Sequence, residues 1–334
     1  MIFMNFLKIS LIVVGGIIFL YLILLLFDYF LQTNKNMVFG VSFSPTYTEY
    51  LGYDYQTVYK KIVDDWGFKY VRLASQWDEV EKIQGSYDFT RLDWLMDYSA
   101  KRDVKVVLAV GRKTPRWPEC HLPVWAQAMT YDQYRQDWLD YMSATISRYK
   151  NNPALEIWQI ENEPFLPFGL CQPMPKKDLT EEIELARGLD SAHKILVTDS
   201  GELSFWHKTA KAGDLFGTTM YRVVWNKYLG YVSYDWLPSI FYRAKLALVG
   251  RSAGDAYVVE LQAEPWVPDQ HMDVVDGEEY KKSMSIERFK NNIEYAGRTN
   301  MSRSYLWGAE WWYYMMDKKG VNDFVNYAKG LKKY

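Results

Sequence analysis

The sequence predicts a closed (β/α)₈ barrel, and three observations carry that prediction. Strand-like apolar runs alternate with helix-like segments from Val38 to the carboxyl end, as in a parallel sheet with helices outside it. The alternation yields eight βα units in about 300 residues, the usual size of this barrel. No GxGxxG pattern follows the first strand, so the alternative, a doubly wound open sheet, lacks its nucleotide-binding fingerprint.

The predicted strands are short apolar runs, the pattern of strands buried on both faces. They cover residues 38–43, 70–73, 104–110, 155–160, 194–198, 215–220, 256–261 and 304–307. Predicted helices alternate with them at 55–66, 91–102, 132–149, 180–192, 236–248, 286–297 and 322–333, with a short one near 205–212. Long loops at 111–131 and 164–178 follow the third and fourth strands, and long loops on a barrel usually carry function.

The amino terminus is predicted to be a membrane anchor. No charged residue occurs from Ile9 to Phe27, and a stretch of this length is close to the roughly 20 residues that span a bilayer. It is longer than the apolar region of a cleaved signal, so residues 1–35 are interpreted as an uncleaved anchor with a short linker. A long signal peptide is the alternative. Lys8 precedes the span and Asp28 follows it, which favours a cytoplasmic amino terminus and an extracytoplasmic domain at residues 36–334.

Composition narrows the class of ligand. The net charge is -2, the pI is near 6.2 and no basic patch stands out, so we expect no nucleic-acid partner. Aromatic residues make up 17% of the chain, more than a core requires, which favours exposed rings that stack on apolar ligand faces. There is no CxxC or His/Cys cluster, so no metal or organic cofactor is implied.

Polar residues suited to catalysis directly follow the fourth strand. The apolar run to Ile160 changes to Glu161-Asn162-Glu163-Pro164, and the carboxyl ends of parallel strands are where sites are built. Glu163 is therefore a candidate catalytic carboxyl. Glu260 ends the seventh strand, 97 residues later, which is about three barrel units. Glycosidic bond hydrolysis requires two carboxyl groups on opposite sides of one pocket, one as a protonated acid and one as an anion.

Four further strand-end residues fit the same chemistry. Arg72 and Tyr221 are expected to keep Glu260 ionised and aimed, by charge and by a phenolic hydrogen bond. Asn162 is placed to hold the sugar's 2-hydroxyl. Trp307 is placed to stack beneath the sugar ring.

These residues resemble those of the clan A glycoside hydrolases, which are (β/α)₈ enzymes that work with retention. The shared pattern is Arg on the second strand, Asn-Glu-Pro on the fourth, Tyr on the sixth, Glu on the seventh and Trp on the eighth. Residues 77–118 are similar to the second-to-third strand region of family 42 β-galactosidases and neighbouring families. The resemblance implies that Glu163 is the general acid/base, Glu260 the nucleophile, and the four residues above their supporting shell.

Two positions depart from the pattern of the clan. Glu264 is a rival nucleophile, but it precedes Pro265 in a loop, whereas Glu260 directly follows an apolar run and lies on the rigid strand. Thr219 stands where several of these families have a histidine two residues before the tyrosine.

Other side chains at the predicted mouth carry weaker signals. Glu161 should point away from Asn162 and is interpreted as structural. Glu202 and Glu310 are interpreted as solvated loop acids, with the binding of sugar hydroxyls as the alternative. Tryptophans in strand-end loops are candidates for outer sugar subsites, although packing is the favoured interpretation of each one: Trp117, Trp225, Trp266, Trp311 and Trp312.

The two cysteines, Cys120 and Cys171, fall in the loops after the third and fourth strands. An exported domain permits disulfides, and both loops decorate the same rim of the barrel. We therefore predict a Cys120–Cys171 disulfide that stiffens one wall of the cleft.

Together these features predict a membrane-tethered, extracytoplasmic glycosidase that cleaves a β-linked oligo- or polysaccharide with retention, by double displacement. A transglycosylase uses the same residues and is the nearest alternative. A non-catalytic glycan-binding barrel at the cell surface is another, although a binder has no need for both Glu163 and Glu260. The fold alone does not decide between them, because the barrel hosts many chemistries.

Overall fold

A closed ring of eight parallel strands forms the centre of the fold. The computed structural model describes residues 14–16, 19, 21–28, 30, 34, 36–171, 174–268 and 278–331. Within these ranges the strands are β1 (Val38–Ser42), β2 (Tyr70–Ala74), β3 (Lys105–Val110), β4 (Leu155–Ile160), β5 (Lys194–Asp199), β6 (Leu215–Met220), β7 (Val223–Asn226), β8 (Gly230–Ser233), β9 (Ala256–Gln262) and β10 (Arg303–Trp307). The ring order is β1-β10-β9-β6-β5-β4-β3-β2, and β7 and β8 form a separate antiparallel hairpin. The predicted (β/α)₈ barrel is confirmed.

Helices surround the ring. In the described part of the chain they are α1 (Pro45–Tyr50), α2 (Tyr55–Lys60, continued by a π-helical turn at Lys61–Asp65), α3 (Trp77–Val80), α4 (Thr90–Ala100), α5 (Tyr131–Tyr149), α6 (Lys176–Leu189), α7 (Ile240–Leu248), α8 (Ile286–Arg298), α9 (Ala309–Lys319) and α10 (Asp323–Lys329). The helix predicted near 205–212 is wrong. Trp206 adopts a φ of 65° there, a left-handed conformation that interrupts a helix, and turns enclose its buried ring.

Two apolar clusters hold the layers together. The larger lies between the strands and the helices, and it contains the outward-facing residues of the sheet. The smaller includes Val107, Ile157, Leu196, Val259 and Tyr305, from five strands of the ring, and it fills the barrel interior. A packed interior leaves the carboxyl ends of the strands as the place where polar side chains collect.

The amino-terminal segment contacts the barrel. Its described positions between 14 and 28 are helical, and the Asp28 carboxylate accepts hydrogen bonds from the Ser239 hydroxyl (2.6 Å) and the Ile240 N–H (2.7 Å) at the start of α7. Among the residues that the structure describes, no helix has the length and apolar character needed to cross a bilayer. The predicted anchor at 9–27 falls partly on residues outside the described ranges and stays a prediction.

Candidate active site

A cleft of about 440 Å³ opens at the carboxyl ends of the barrel strands. Its charged lining side chains are Arg116, Glu119 and Glu264. Aromatic rings form most of its wall: Tyr47, Tyr50, Trp117, Phe168, Tyr221, Trp266 and Trp307. A cleft with many rings and few charges suits a ligand that presents both apolar faces and hydroxyl groups, as a sugar does.

Glu260 lies on β9, where the strand is irregular. The register of β9 advances by one extra residue against β6 between Val258 and Glu260, which is the signature of a β-bulge. Val259 belongs to the barrel interior, yet the next side chain, Glu260, also reaches inward to Arg72 and Tyr221. The bulge therefore re-aims the carboxylate toward the mouth of the barrel.

Two hydrogen-bond donors fix the environment of Glu260. The Arg72 guanidinium donates to Oε1 at 2.8 Å, and the Tyr221 hydroxyl donates to Oε2 at 2.8 Å. Arg72, only 1% exposed, also donates to the Asn162 side-chain oxygen (2.8 Å) and to Gln159 (2.7 Å). Charge-assisted bonds to both oxygens stabilise the ionised form of a carboxyl and hold its orientation. The predicted neighbours of Glu260 are therefore where the sequence places them.

Glu163 follows β4 and lies in a different environment. Its backbone is in the left-handed region (φ 45°), its N–H donates to the Thr198 hydroxyl (2.9 Å), and its carboxyl accepts from the Thr219 hydroxyl (2.9 Å). Burial, and then the charges of Glu260 and Glu119, raise the pKa of Glu163 well above its usual range. The raised pKa favours the protonated form of Glu163, as a general acid requires.

Glu264 forms an ion pair with Arg116. Both of its oxygens accept hydrogen bonds from the Arg116 guanidinium, which also reaches Glu310 at 3.4 Å. Arg116 stacks between two rings, 3.9 Å from the centre of Tyr47 and 4.2 Å from that of Trp307. The rival nucleophile is thus committed to an ion pair on the cleft wall, and one face of Trp307 is covered by the arginine.

Two acids interpreted as solvated accept hydrogen bonds from neighbouring elements; the expectation is wrong for Glu310, which is buried, whereas Glu202 is partly exposed. Glu310, 1% exposed, begins α9 and accepts the Ser44 N–H (2.5 Å), and burial raises its pKa to about 7. Glu202 accepts the Tyr221 N–H (3.0 Å) and the Tyr242 hydroxyl (2.5 Å), and burial raises its pKa to about 7. Each is held by the packing of neighbouring elements, which the local sequence does not reveal.

The tryptophans divide into rim and core. Trp117, 52% exposed, and Trp266 line the cleft, and the ring centre of each lies 6.1 Å from that of Phe168. Trp225 lies in the β7–β8 hairpin. Trp311 and Trp312 are 1% and 0% exposed, so both pack in the core, the interpretation favoured from the sequence, and neither is a sugar platform. They face the core because α9, which the sequence did not predict, turns them inward.

The loops after β3 and β4 are joined as predicted. Cys120 and Cys171 form a disulfide, with Cα atoms 4.8 Å apart. Glu161, interpreted as structural, is buried and accepts the backbone N–H groups of Arg112 (2.6 Å) and Lys113 (2.8 Å). It therefore anchors the loop after β3 to the end of β4.

The sequence missed three residues of that loop. Arg116 and Glu119 line the cleft, and Lys113 lies 3.5 Å from Glu119. The only signal was the loop's length, since its charges form no recognisable spacing. In the described part of the chain, no group of three or more His, Cys, Asp or Glu side chains is arranged to hold a metal ion.

Fold and site together define a (β/α)₈ barrel with the carboxyl arrangement of the clan A glycoside hydrolases. Residues 31–172 match the family model of cellulases (glycosyl hydrolase family 5), which confirms the resemblance to this clan.

Curated relatives are similar in parts. A β-galactosidase of Arthrobacter sp is 34% identical over 102 residues, 25% of this chain and 15% of that protein. Mannan endo-1,4-β-mannosidase A of Podospora anserina is 26% identical over 170 residues, 42% of each. The chain spans less than half the length of the curated relatives it matches.

Solved structures show the same fold. A family 5 mannosidase of Rhizomucor miehei superposes with a TM-score of 0.55 at 13% identity, over 83% of this chain and 81% of that one. Xylanase 10B of Thermotoga petrophila gives 0.54 at 13% identity, over 82% of each. At such identity the likeness concerns the fold alone.

Proposed function

We propose that this protein is a retaining glycoside hydrolase that cleaves β-glycosidic bonds by double displacement. The observation that carries the proposal is the asymmetry between Glu163 and Glu260 at one barrel mouth. Burial and neighbouring charge keep the pKa of Glu163 high, whereas Arg72 and Tyr221 donate to both oxygens of Glu260. One acid and one anion are what this reaction needs.

In the first step the Glu260 carboxylate attacks the anomeric carbon while Glu163 gives its proton to the departing glycosidic oxygen. The bond to the leaving group breaks, an ester between the sugar and Glu260 forms, and Glu163 becomes a carboxylate. Thr219 donates to Glu163 at 2.9 Å, and this contact strengthens as charge develops on that oxygen.

In the second step Glu163 removes a proton from water, and the oxygen of that water attacks the anomeric carbon. The ester breaks, the sugar leaves with its original configuration, and both acids return to their starting states. During both steps Arg72 and Tyr221 stabilise the carboxylate of Glu260 as its charge changes. When a sugar hydroxyl replaces water, the same step becomes transglycosylation.

The experiment is hydrolysis of a panel of aryl β-glycosides, β-glucans and β-mannans by the full-length chain. The β-galactosides and β-mannans come first, because β-galactosidases and a mannan endo-mannosidase are among its relatives. Glu163→Gln and Glu260→Gln should each abolish turnover, while Glu264→Gln should retain a measurable rate. Unchanged glycan binding with no turnover on any substrate would contradict the proposal and show a non-catalytic glycan-binding barrel.

We also propose that residues 1–35 tether the barrel to the outer side of a membrane. The support is the uncharged stretch at 9–27 and the Cys120–Cys171 disulfide, which is typical of oxidising compartments. Fractionation of cells that express the chain, followed by protease treatment of intact spheroplasts, tests it. Recovery in the soluble fraction, or full protection of the barrel from the protease, would contradict the tether.

A further inference from the structure

Glu119 is a carboxyl of the cleft that the double displacement does not use. We propose that it binds substrate: together with Asn162 it receives one sugar hydroxyl, and so selects a glycoside with a free 2-hydroxyl. This inference rests on the proposed glycosidase function and adds the group that the sugar must carry beside the scissile bond.

The position of Glu119 supports contact with a ligand. It lines the cleft and is 7% exposed, so little except a bound ligand approaches it from the open side. Its Oε2 lies 3.3 Å from the Asn162 side-chain nitrogen and 3.5 Å from Lys113 Nζ. Lys113 also donates to the backbone oxygens of Glu163 (3.0 Å) and Leu166 (3.2 Å), both at shorter distances. The lysine is thus bound chiefly to backbone, and Glu119 is more than its counter-ion.

The orientation of Asn162 is fixed by its other partners. Its side-chain oxygen accepts from Arg72 at 2.8 Å, so the amide nitrogen must face the opposite way, toward Glu119. An amide nitrogen has two N–H donors, and a carboxylate has several acceptor positions. Side by side they present one donor and one acceptor to the cleft.

That pair selects among groups by hydrogen bonding. A hydroxyl accepts from the Asn162 nitrogen and donates to Glu119 at the same time. A 2-deoxy sugar leaves the second N–H of Asn162 and the cleft-facing acceptor position of Glu119 without partners. Sites that hydrogen-bond a substrate hydroxyl reject analogues that lack it because their buried polar groups then stay unpaired.

The loops hold Glu119 in place. Cys120, the residue directly after Glu119, is joined by its disulfide to Cys171 in the loop that follows β4. In that loop Gly169 has a φ of 81°, and a Cβ there would lie 2.7 Å from the Cβ of Glu119. The Leu170 N–H donates to the Pro118 oxygen at 3.1 Å, one residue before Glu119. Two loops therefore clamp the residue, as a binding group requires.

The test compares an aryl β-glycoside that the wild-type full-length chain hydrolyses with its 2-deoxy counterpart. On the parent glycoside, Glu119→Gln should lower kcat/KM roughly tenfold and Glu119→Ala roughly 100-fold. On the 2-deoxy substrate, assayed at a pH below the alkaline limb of kcat/KM, both variants should stay within about threefold of wild type, because the contact is already absent.

Glu81→Gln serves as the matched control. Glu81 is a buried carboxyl outside the cleft wall that accepts from Trp77 (2.6 Å) and the Gly85 N–H (2.7 Å), so its loss should not alter the ratio between substrates. Thermal unfolding of each variant checks that it folds. Equal losses on the parent and 2-deoxy substrates would show that Glu119 only supports its loop, which overturns the inference alone. An inactive wild type would overturn the proposed function, and the inference with it.

Discussion

Tyr221→Phe removes one hydrogen bond from the proposed nucleophile and leaves the rest of the cleft wall in place. The phenol donates to Glu260 Oε2 at 2.8 Å, and burial together with the Glu260 charge raises the pKa of Tyr221 well above its usual range. The hydroxyl therefore keeps its proton and always donates. The ring packs edge-on against Trp266, 5.3 Å between centres, and phenylalanine preserves that contact.

The size of the effect follows from the kind of bond. A hydrogen bond to a charged group contributes about 1.5–3 kcal/mol, and each 1.36 kcal/mol corresponds to tenfold in rate. We expect kcat/KM to fall roughly 10- to 150-fold. The loss should be smaller than that of Glu260→Gln, because Arg72 still holds the other oxygen at 2.8 Å.

Steady-state kinetics on an aryl β-glycoside measures the loss. Tyr231→Phe is the control, since Tyr231 also donates to a glutamate, Glu279, at 2.8 Å, but in the hairpin away from the carboxyl pair. It should retain wild-type activity. A rate for Tyr221→Phe within about twofold of wild type would refute the assignment of Glu260 as the group that the phenol aims.

Three further predictions concern pH and stability. The alkaline limb of kcat/KM should reflect loss of the Glu163 proton, and Glu119→Gln should move it to lower pH, because the Glu119 charge raises the pKa of Glu163; an unmoved limb in a pH–rate series would contradict this. Burial raises the pKa of Glu182 well above its usual range, so its burial costs stability as pH rises through that pKa; Glu182→Gln should therefore raise Tm at pH 8 and change it little at pH 4, and calorimetry showing the reverse would sink the idea. Replacing Cys120 and Cys171 by serine opens a loop with a sequence separation of 51 and should lower the free energy of unfolding by about 4 kcal/mol at most, as denaturant titration would show.

The barrel was predictable because its strands carry their own signal. The runs at 155–160 and 215–220 coincide with β4 and β6, since strands buried on both faces are apolar throughout and end sharply. The helix α9 was missed for the converse reason. It buries Trp311 and Trp312 at its start, shortly after Trp307. Several tryptophans beside a strand end are also typical of a ligand-binding rim, so the sequence did not indicate a helix there.

The proposed catalytic pair and its strand-end partners were predictable in position, but the loop contacts of the cleft were not. Glu163 and Glu260 end strands, so their location follows from the fold, and Arg72 and Tyr221 were found in the same way. Arg116 pairs with Glu264, which is 148 residues away, and its loop position follows no period. Such contacts depend on how long loops fold against one another, which local patterns do not encode.

The carboxyl pairing of Glu119 with Asn162 illustrates the same limit. Glu119 and the nearby Arg116 both have positive φ, a conformation that non-glycine residues adopt only where the surrounding structure imposes it. The restraint comes from the loop after β4, through the disulfide and Gly169. The binding role proposed for Glu119 therefore needed the tertiary structure.

The most direct test of the account is to trap the glycosyl ester. In a 2-deoxy-2-fluoro β-glycoside with a dinitrophenyl leaving group, the fluorine slows both steps. The good leaving group restores the rate of the first step alone, so the ester accumulates. We predict that mass spectrometry of the digested full-length chain will find the sugar on the peptide at Glu260. A label on Glu264 would show that the nucleophile is misassigned. Turnover of the parent glycoside with inverted configuration and no adduct would contradict double displacement itself.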